Sequence, residues 1–375
     1  MVDLALKILL HDRLRFAITV AGVAFAVALV LIQVGLFMGL LDNASVMIEK
    51  SRAELWVTPR NTPNIDFAQP ISETLVRRVR STPGVARADN LIVLFTTIAL
   101  PSGAREGLLV YALEDFGFWN LPWKVTEGNI DDLKRGRFMV LDHAADRRFG
   151  ETRVGDYREV FGTRVKVIGR TRDALSFTTT PIAFMDHDRA QMLSPVDMTG
   201  RTHYILVKLA PGADVERVRR ELQRRLPYQD VLTKAEFAQQ SRRYWVESTG
   251  LGLNMGTTVF LGGLIGIVVV AQTLYTSAME HLKEFATVKA IGGSNRDIYG
   301  ILGKQALIAA VLGYGLGVLI THAVRPALAG IDLKLMVSPP LLVGVLIGAV
   351  VLCLAAALLS FHKVARIDPA LVFRS

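Results

Sequence analysis

Residues Phe16–Leu41, FAITVAGVAFAVALVLIQVGLFMGLL, decide how this chain is read. They carry no charge and one amide, Gln33. As a helix such a run crosses a hydrocarbon core of roughly 30 Å, which takes about 20 apolar residues. Three more runs follow, at Met255–Ala278, Gln305–Arg325 and Pro340–Phe361. A long stretch of ordinary, charged sequence separates the first run from the second. One span, a large insert, then three spans predicts an integral membrane α-helical protein with four transmembrane helices and an extracytoplasmic α+β domain.

Composition agrees. Over 375 residues the chain is 51% hydrophobic with mean hydropathy +0.35, more apolar than a soluble domain averages. The net charge is +9, and much of it falls in short segments beside the runs. Lys7, Arg13 and Arg15 precede span one, Lys283, Lys289, Arg296 and Lys304 lie between spans two and three, and Lys363, Arg366 and Arg374 follow span four. Short loops rich in Lys and Arg stay inside. Both termini are therefore expected in the cytoplasm and the insert outside it. The first run is too long for a cleavable signal and lacks a small-x-small site, so it reads as a retained anchor. The single cysteine, Cys353, falls in span four and permits no intrachain disulfide.

The expected organisation runs as follows. Residues 1–15 form an amphipathic interfacial helix, and 16–41 the first span, with a stalk to about 52. The external α+β domain covers 53–235, with similar βαβ halves at about 53–114 and 201–235 around a β subdomain at about 115–200. Residues 236–278 are a stalk and span two, 279–304 a cytoplasmic loop, 305–325 span three, 326–339 a short external loop, 340–361 span four and 362–375 a cytoplasmic tail. Pro101-Ser102-Gly103 predicts a hairpin turn, and Asp214–Leu226 a helix with Val215, Val218 and Leu222 in register.

The cytoplasmic loop bears the mechanism. Leu282, Phe285, Val288 and Ile291 recur every three residues, one face of a short helix, and Gly292-Gly293 supply its C-cap. Ser294 with Asp297 reads as a variant capping box for the next helix. A helix lying across the mouth of two spans suits either a lever gripped by a partner or an interfacial helix on headgroups.

Glu284-Phe285-Ala286-Thr287-Val288-Lys289-Ala290-Ile291-Gly292 resembles the E-x-G-x-x-x-A-x-G signature of FtsX/MacB-family ABC transporter permeases, with Ala286 at the first glycine. The E-[FY]-A-T-x-K-A-x-G form is most similar to the DevC branch of half-size permeases. Ala365–Arg374 resembles the family's closing A-x-x-x-P-x-x-x-[LF]-R, and the one-plus-three layout fits. The resemblance implies a domain of MacB periplasmic type and a coupling helix docked on a separate ABC ATPase. Phe285, Val288 and Ile291 would be its buried contacts, Glu284 and Lys289 its polar ones, and Gly292 its end. It further implies a second copy of the chain, a periplasmic adaptor (membrane fusion) protein and a TolC-type outer-membrane channel.

No G-x-x-x-x-G-K-[ST] phosphate loop occurs; Gly300-Ile301-Leu302-Gly303-Lys304-Gln305 has the wrong spacing. No catalytic residue, metal or cofactor is assigned to the chain, and ATP and Mg would be used by the partner. Asp186-His187-Asp188 and Asp142-His143 lack the spacing of a strong metal site. The basic run Arg217–Arg225 reads as a solvated helix face, with lipid headgroups or an adaptor as its functional alternatives and an external location against nucleic acid. Gly262 and Gly266 predict close helix packing, which leaves a dimer seam through spans one and two open, and Gln33 a hydrogen bond between helices. So few polar groups within the spans favour a machine that transmits motion over one that conducts solute. Export is the leading function. An FtsX-like or lipoprotein-release-type complex is the alternative, and a sensor without an ATPase is a third.

Overall fold

The structure is a computed structural model that describes residues 13–67, 69–194, 197–281, 287 and 293–364. It divides into two units. One is Leu40–Gly252; the other combines the chain up to Gly39 with the chain from Leu253 onward.

The second unit is helical. Helices Arg13–Asn43, Leu251–Glu280, Asn295–Ala329 and Pro339–Val364 each contain a stretch long and apolar enough to cross a membrane. Their shared core takes Val27 and Leu31 from span one, Val270 and Leu274 from span two, Ala306 and Ala310 from span three, and Ala349 and Ala356 from span four. Small residues set the approach. A Cβ on Gly313 would lie 2.6 Å from Val23, and one on Gly317 2.9 Å from the Ala24 carbonyl, so this pair packs span three on span one within the chain. Span three begins at Asn295, not near 305, because Ile298 and Leu302 extend its buried face toward the cap. It also continues through Pro326 to Ala329. The loop between spans three and four is accordingly shorter than the expected 326–339. Its Met336 N–H donates to Gly35 O at 3.0 Å, and a Cβ on Gly39 would fall 1.8 Å from Lys334 O.

The first unit is α+β. Its strands are β1 Leu55–Pro59, β2 Ile71–Ser72, β3 Val85–Ala99, β4 Arg105–Leu113, β5 Val125–Gly128, β6 Phe138–Asp142, β7 Tyr157–Val160, β8 Thr163–Thr171, β9 Ile182–Asp186, β10 Arg201–Thr202, β11 Tyr204–Leu209 and β12 Gln229–Thr233. The main sheet runs β12-β1-β11-β3-β4-β9-β6-β8-β5, with β7 against β3 and β8. β3 is 15 residues long and serves three partners, β7 pairing only with its end at Ile98 and Ala99. Its first part, Val85–Leu91, pairs with β11, and Leu91–Ala99 pairs with β4. The stretch expected as a β subdomain, about 115–200, is continuous with the halves. It is hydrogen-bonded into one sheet through β3 and through the parallel β4–β9 pair. Helices Leu75–Arg80 and Val215–Arg225 cover β1, β3, β11 and β12 with Val76, Val79, Val218 and Leu222. A second core gathers Trp56, Tyr204 and Phe237, with ring centroids 5.4–6.0 Å apart.

Both crossing segments are interrupted. Helix Arg13–Asn43 stops before a turn at Ala44-Ser45, and a separate five-residue helix, Val46–Lys50, follows. On the return, helix Lys234–Arg243 passes into a π-turn at Tyr244–Ser248, and Gly250 at φ +71° precedes span two. The continuous stalks expected from the pattern are thus broken, the second at a position where only glycine is comfortable.

Candidate functional site

Glu284, Phe285, Val288, Lys289, Ile291 and Gly292, the expected coupling residues, lie outside the described residues. Their frame is described. Arg15, near the start of span one, forms a two-pronged ion pair with Glu280 at the end of span two. On the far side of the loop, Ser294 N–H and Oγ donate to Asp297 Oδ2 at 2.7 and 2.8 Å. Asp297 fills the third helical position, which completes the capping box. The loop thus hangs between a bridged pair of spans and a capped helix.

The expected packing residues lie between spans one and two of one chain. A Cβ on Gly262 would meet Leu29 at 2.8 Å, and one on Gly266 would meet Ala26 at 3.1 Å. Gln33 Nε2 donates to Met255 Sδ at 3.2 Å.

Sequence reasoning missed a clasp that joins the two crossing segments inside the extramembrane unit. Arg242 Nε donates to Ser45 Oγ at 2.9 Å, and its guanidinium pairs with Glu49. Lys234 Nζ donates to Ser51 O at 2.7 Å. Burial pushes the Lys234 ammonium down and Lys208 adds to that, against the pull of Glu54. Phe177 stacks on Trp245 with centroids 3.9 Å apart and planes at 11°, beside Ala44 and Leu41. Phe67 leans on both Tyr244 and Trp245.

The loop Thr62–Phe67 is bound to the same return helix. Gln240 donates to Thr62 O, and Ile65 N–H to Ser241 Oγ at 3.3 Å. Asn64 Oδ1 accepts from Asp66 N–H at 2.8 Å, while Tyr204 OH donates to Ile65 O at 2.9 Å. Asp66 is 6% exposed, and Oδ1 accepts from Tyr111 OH at 3.3 Å. Burial pushes its carboxyl up to about 7, and the Tyr111 hydrogen bond offsets only part of that. Burial also drives the Tyr111 hydroxyl well above its ordinary range. The signal in the sequence was an acid flanked by Ile65 and Phe67, too short a pattern to stand out.

The pairs that invited a metal have local partners. Asp142 Oδ1 and Oδ2 accept from Ala144 N–H and Ala174 N–H, each at 2.9 Å, and burial raises the carboxyl to about 6. His187 Nδ1 lies 3.3 Å from Asp188 Oδ1. Among the described residues no group of three or more His, Cys, Asp or Glu side chains is placed to hold a metal ion.

Comparison with known proteins follows the two-part layout. Residues 16–225 match the family described as MacB-like periplasmic core domain, and residues 256–369 match the FtsX-like permease C-terminal family. An uncharacterized ABC transporter permease of Mycobacterium tuberculosis is 23% identical over 380 residues, 98% of each chain. One from Methanocaldococcus jannaschii is 25% identical over 293 residues, 72% of this chain and 68% of the relative. The periplasmic region of MacB from Actinobacillus actinomycetemcomitans is 12% identical with TM-score 0.41, covering 50% of this chain and 91% of that one. The first match spans more than half of the sequence and the second most of the rest: the chain belongs to the MacB/FtsX-like family of ABC transporter permeases.

Proposed function

We propose that the chain carries ATP-driven motion from a separate ATPase to its extramembrane domain, and that a homodimer of it drives efflux through an adaptor and a TolC-type channel. Family membership supports the ATPase and the pairing of permeases. The observation that carries the mechanical part is the clasp. β1 begins just after Ser51 and pairs with β12 through Leu55 and Thr233, and Lys234 then begins the return helix. The two crossing segments therefore leave from adjacent ends of paired strands and are tied again by Arg242 and Lys234. A displacement of either is delivered to one sheet, which is what a lever needs.

The test is uncoupling. Phe285→Ala and Val288→Ala in the loop should abolish stimulation of the partner ATPase in membranes and leave the dimer intact by size. Normal stimulation in both variants would remove the coupling role from this loop.

One observation favours the lipoprotein-release alternative. Spans one, two and four enclose a groove lined only by apolar or small residues, among them Val27, Gly263, Gly348 and Leu352. Such a groove suits an acyl chain better than a polar solute. Purification in mild detergent separates the two: an adaptor and an outer-membrane duct mark export, a lipoprotein chaperone or a cell-wall hydrolase the alternative.

A further inference from the structure

The extramembrane domain has one face whose positive charge the fold does not neutralise. Helices Leu75–Arg80 and Val215–Arg225 pack on the same strands and touch: Arg225 Nη1 donates to Ser81 O at 3.4 Å, and a Cβ on Gly84 would meet Val218 at 2.6 Å. Their buried faces are Val76, Val79, Val218 and Leu222, and Arg77, Arg78, Arg217 and Arg220 beside those positions point outward. The other arginines on these helices are engaged. Arg80 holds Asp89 at 2.9 Å, Arg219 holds Glu236 at 2.9 Å, and Arg224 and Arg225 share Glu221 at 2.9 and 2.8 Å. Arg77, Arg78, Arg217 and Arg220 are exposed, and none has a salt bridge or a side-chain hydrogen bond among the described residues.

We infer that this two-helix face docks a partner protein with a net acidic surface, outside the membrane. Three features select a folded protein over a polyanion or a lipid surface. All the cations on the two helices are arginines, whose planar forks pair with carboxylates in fixed geometry where a lysine offers only a point charge. Carboxylates are interleaved with them. Glu216 is exposed on the same helix, 3.5 Å from Arg219, and gives the face the mixed signs of a mosaic protein surface that a uniform polyanion does not match. Tyr228, just past the end of the second helix, is 76% exposed, the most exposed large hydrophobic side chain described in this domain. An open tyrosine on an arginine-rich element, here three residues past Arg225, is the composition of a protein-binding hot spot.

The face is also stiff before any partner arrives. Asp214 caps the second helix through Glu216 N–H and Arg217 N–H, and Gln223 bridges it to β12 through Gln229 O and Val231 N–H at 2.7 and 3.1 Å. A preformed surface loses less conformational freedom on binding. The inference goes beyond the export reading, because an adaptor and a hydrolase are both proteins and either fits.

The test uses the full chain in its own membrane, with a photo-crosslinking amino acid at Tyr228 and, as control, at the exposed Tyr157. Crosslinked peptides from position 228 should map to an Asp/Glu-rich segment of one extramembrane protein, and little should form at position 157. The quadruple change of Arg77, Arg78, Arg217 and Arg220 to Gln should lower the yield about tenfold and unaltered tryptophan emission should show the domain folded. Arg220→Glu should abolish the adduct, and a Lys at the mapped acid should restore it. Adducts only to lipid, to glycan or to a second copy of this chain, no adduct at all, or a yield unmoved by the quadruple change would each overturn the inference.

Discussion

Asp66→Asn should remove a stability gradient between pH 4 and 7. In the folded domain the carboxyl titrates near 7, against 3.8 for the ordinary group. A raised acid is protonated in the native state at pH values where the unfolded chain has already lost the proton. Its cost is absent below about pH 4, grows as pH climbs, and is complete above about 7. Three pKa units correspond to about 4 kcal/mol, and between pH 5 and 8 the loss is about 2.5 kcal/mol. Because Asp66 is 6% exposed, solvent screening removes little of this. Asn keeps the shape and an oxygen for Tyr111 OH but cannot ionise. All four tryptophans, Trp56, Trp119, Trp123 and Trp245, lie in the extramembrane unit, so their emission reports its unfolding in the intact, detergent-solubilised chain. Urea titrations at pH 5 and 8 should show the variant gaining about 2 to 3 kcal/mol on wild type across that interval. The comparison must be a difference, because other groups titrate too. His203 is buried, its Nδ1 accepts from Val93 N–H at 3.2 Å, and its pKa falls to about 4. It contributes stability above about pH 6.5 that is lost as pH drops through 4, the opposite sign. Wild type and variant share His203 and Asp142, so those terms cancel. Parallel stability curves for the two proteins would refute the buried, proton-holding Asp66.

Gly39→Val should detach the loop that follows span three. Its Cβ would sit 1.8 Å from Lys334 O, and overpacking of this kind costs about 3 kcal/mol, read as new protease cleavage at 330–338. Gly315→Ala, with nothing within 4 Å of the new Cβ, should be neutral or gain up to about 1 kcal/mol in the same assay. Phe177→Ala should cost about 3 kcal/mol in the urea titration and shift Trp245 emission to the red. Arg242→Ala should cost about 0.5 to 1 kcal/mol, because both partners of its pair with Glu49 are more than one-third exposed. Yet it should lower ATPase stimulation severalfold, and stimulation unchanged by this variant would separate the clasp from transmission.

Much of the fold is legible because its signals are local. Gly103 takes φ +83° in the turn that Pro101-Ser102-Gly103 announces, and β3 and β4 pair across it from Ala99↔Arg105. Asp214 caps the helix whose Val218 and Leu222 face the core. What escapes is what depends on partners distant in sequence. That β3 changes partner at Leu91 follows from where β11 and β4 end, and no window around β3 contains that information. Span three looks short because hydropathy falls at Arg296, Asp297 and Lys304, although Ile298 and Leu302 keep the helical face intact. The clasp joins Ser45 and Glu49 to Arg242 and Phe177 to Trp245, residues with no periodic relation, and Asp66 is buried only because β4 and β11 bring Tyr111 and Tyr204 to it.

The clasp's strength and its purpose are different quantities. A half-exposed ion pair holds about 1 kcal/mol or less, and no single tie in the cluster could resist a load alone. Its effect comes from where the ties fall. Arg242 fixes the return helix to Ser45 and Glu49, Lys234 fixes the start of that helix to Ser51 O, and β12 is already laddered to β1 from Thr233 to Gln229. Three attachments along two antiparallel segments leave little freedom to shear. The first segment is interrupted within the clasp, at Ala44-Ser45, and the second just past it, at Gly250. A load on either segment is therefore shared between the β1–β12 ladder and the ties of Arg242 and Lys234 before it falls on any one ion pair.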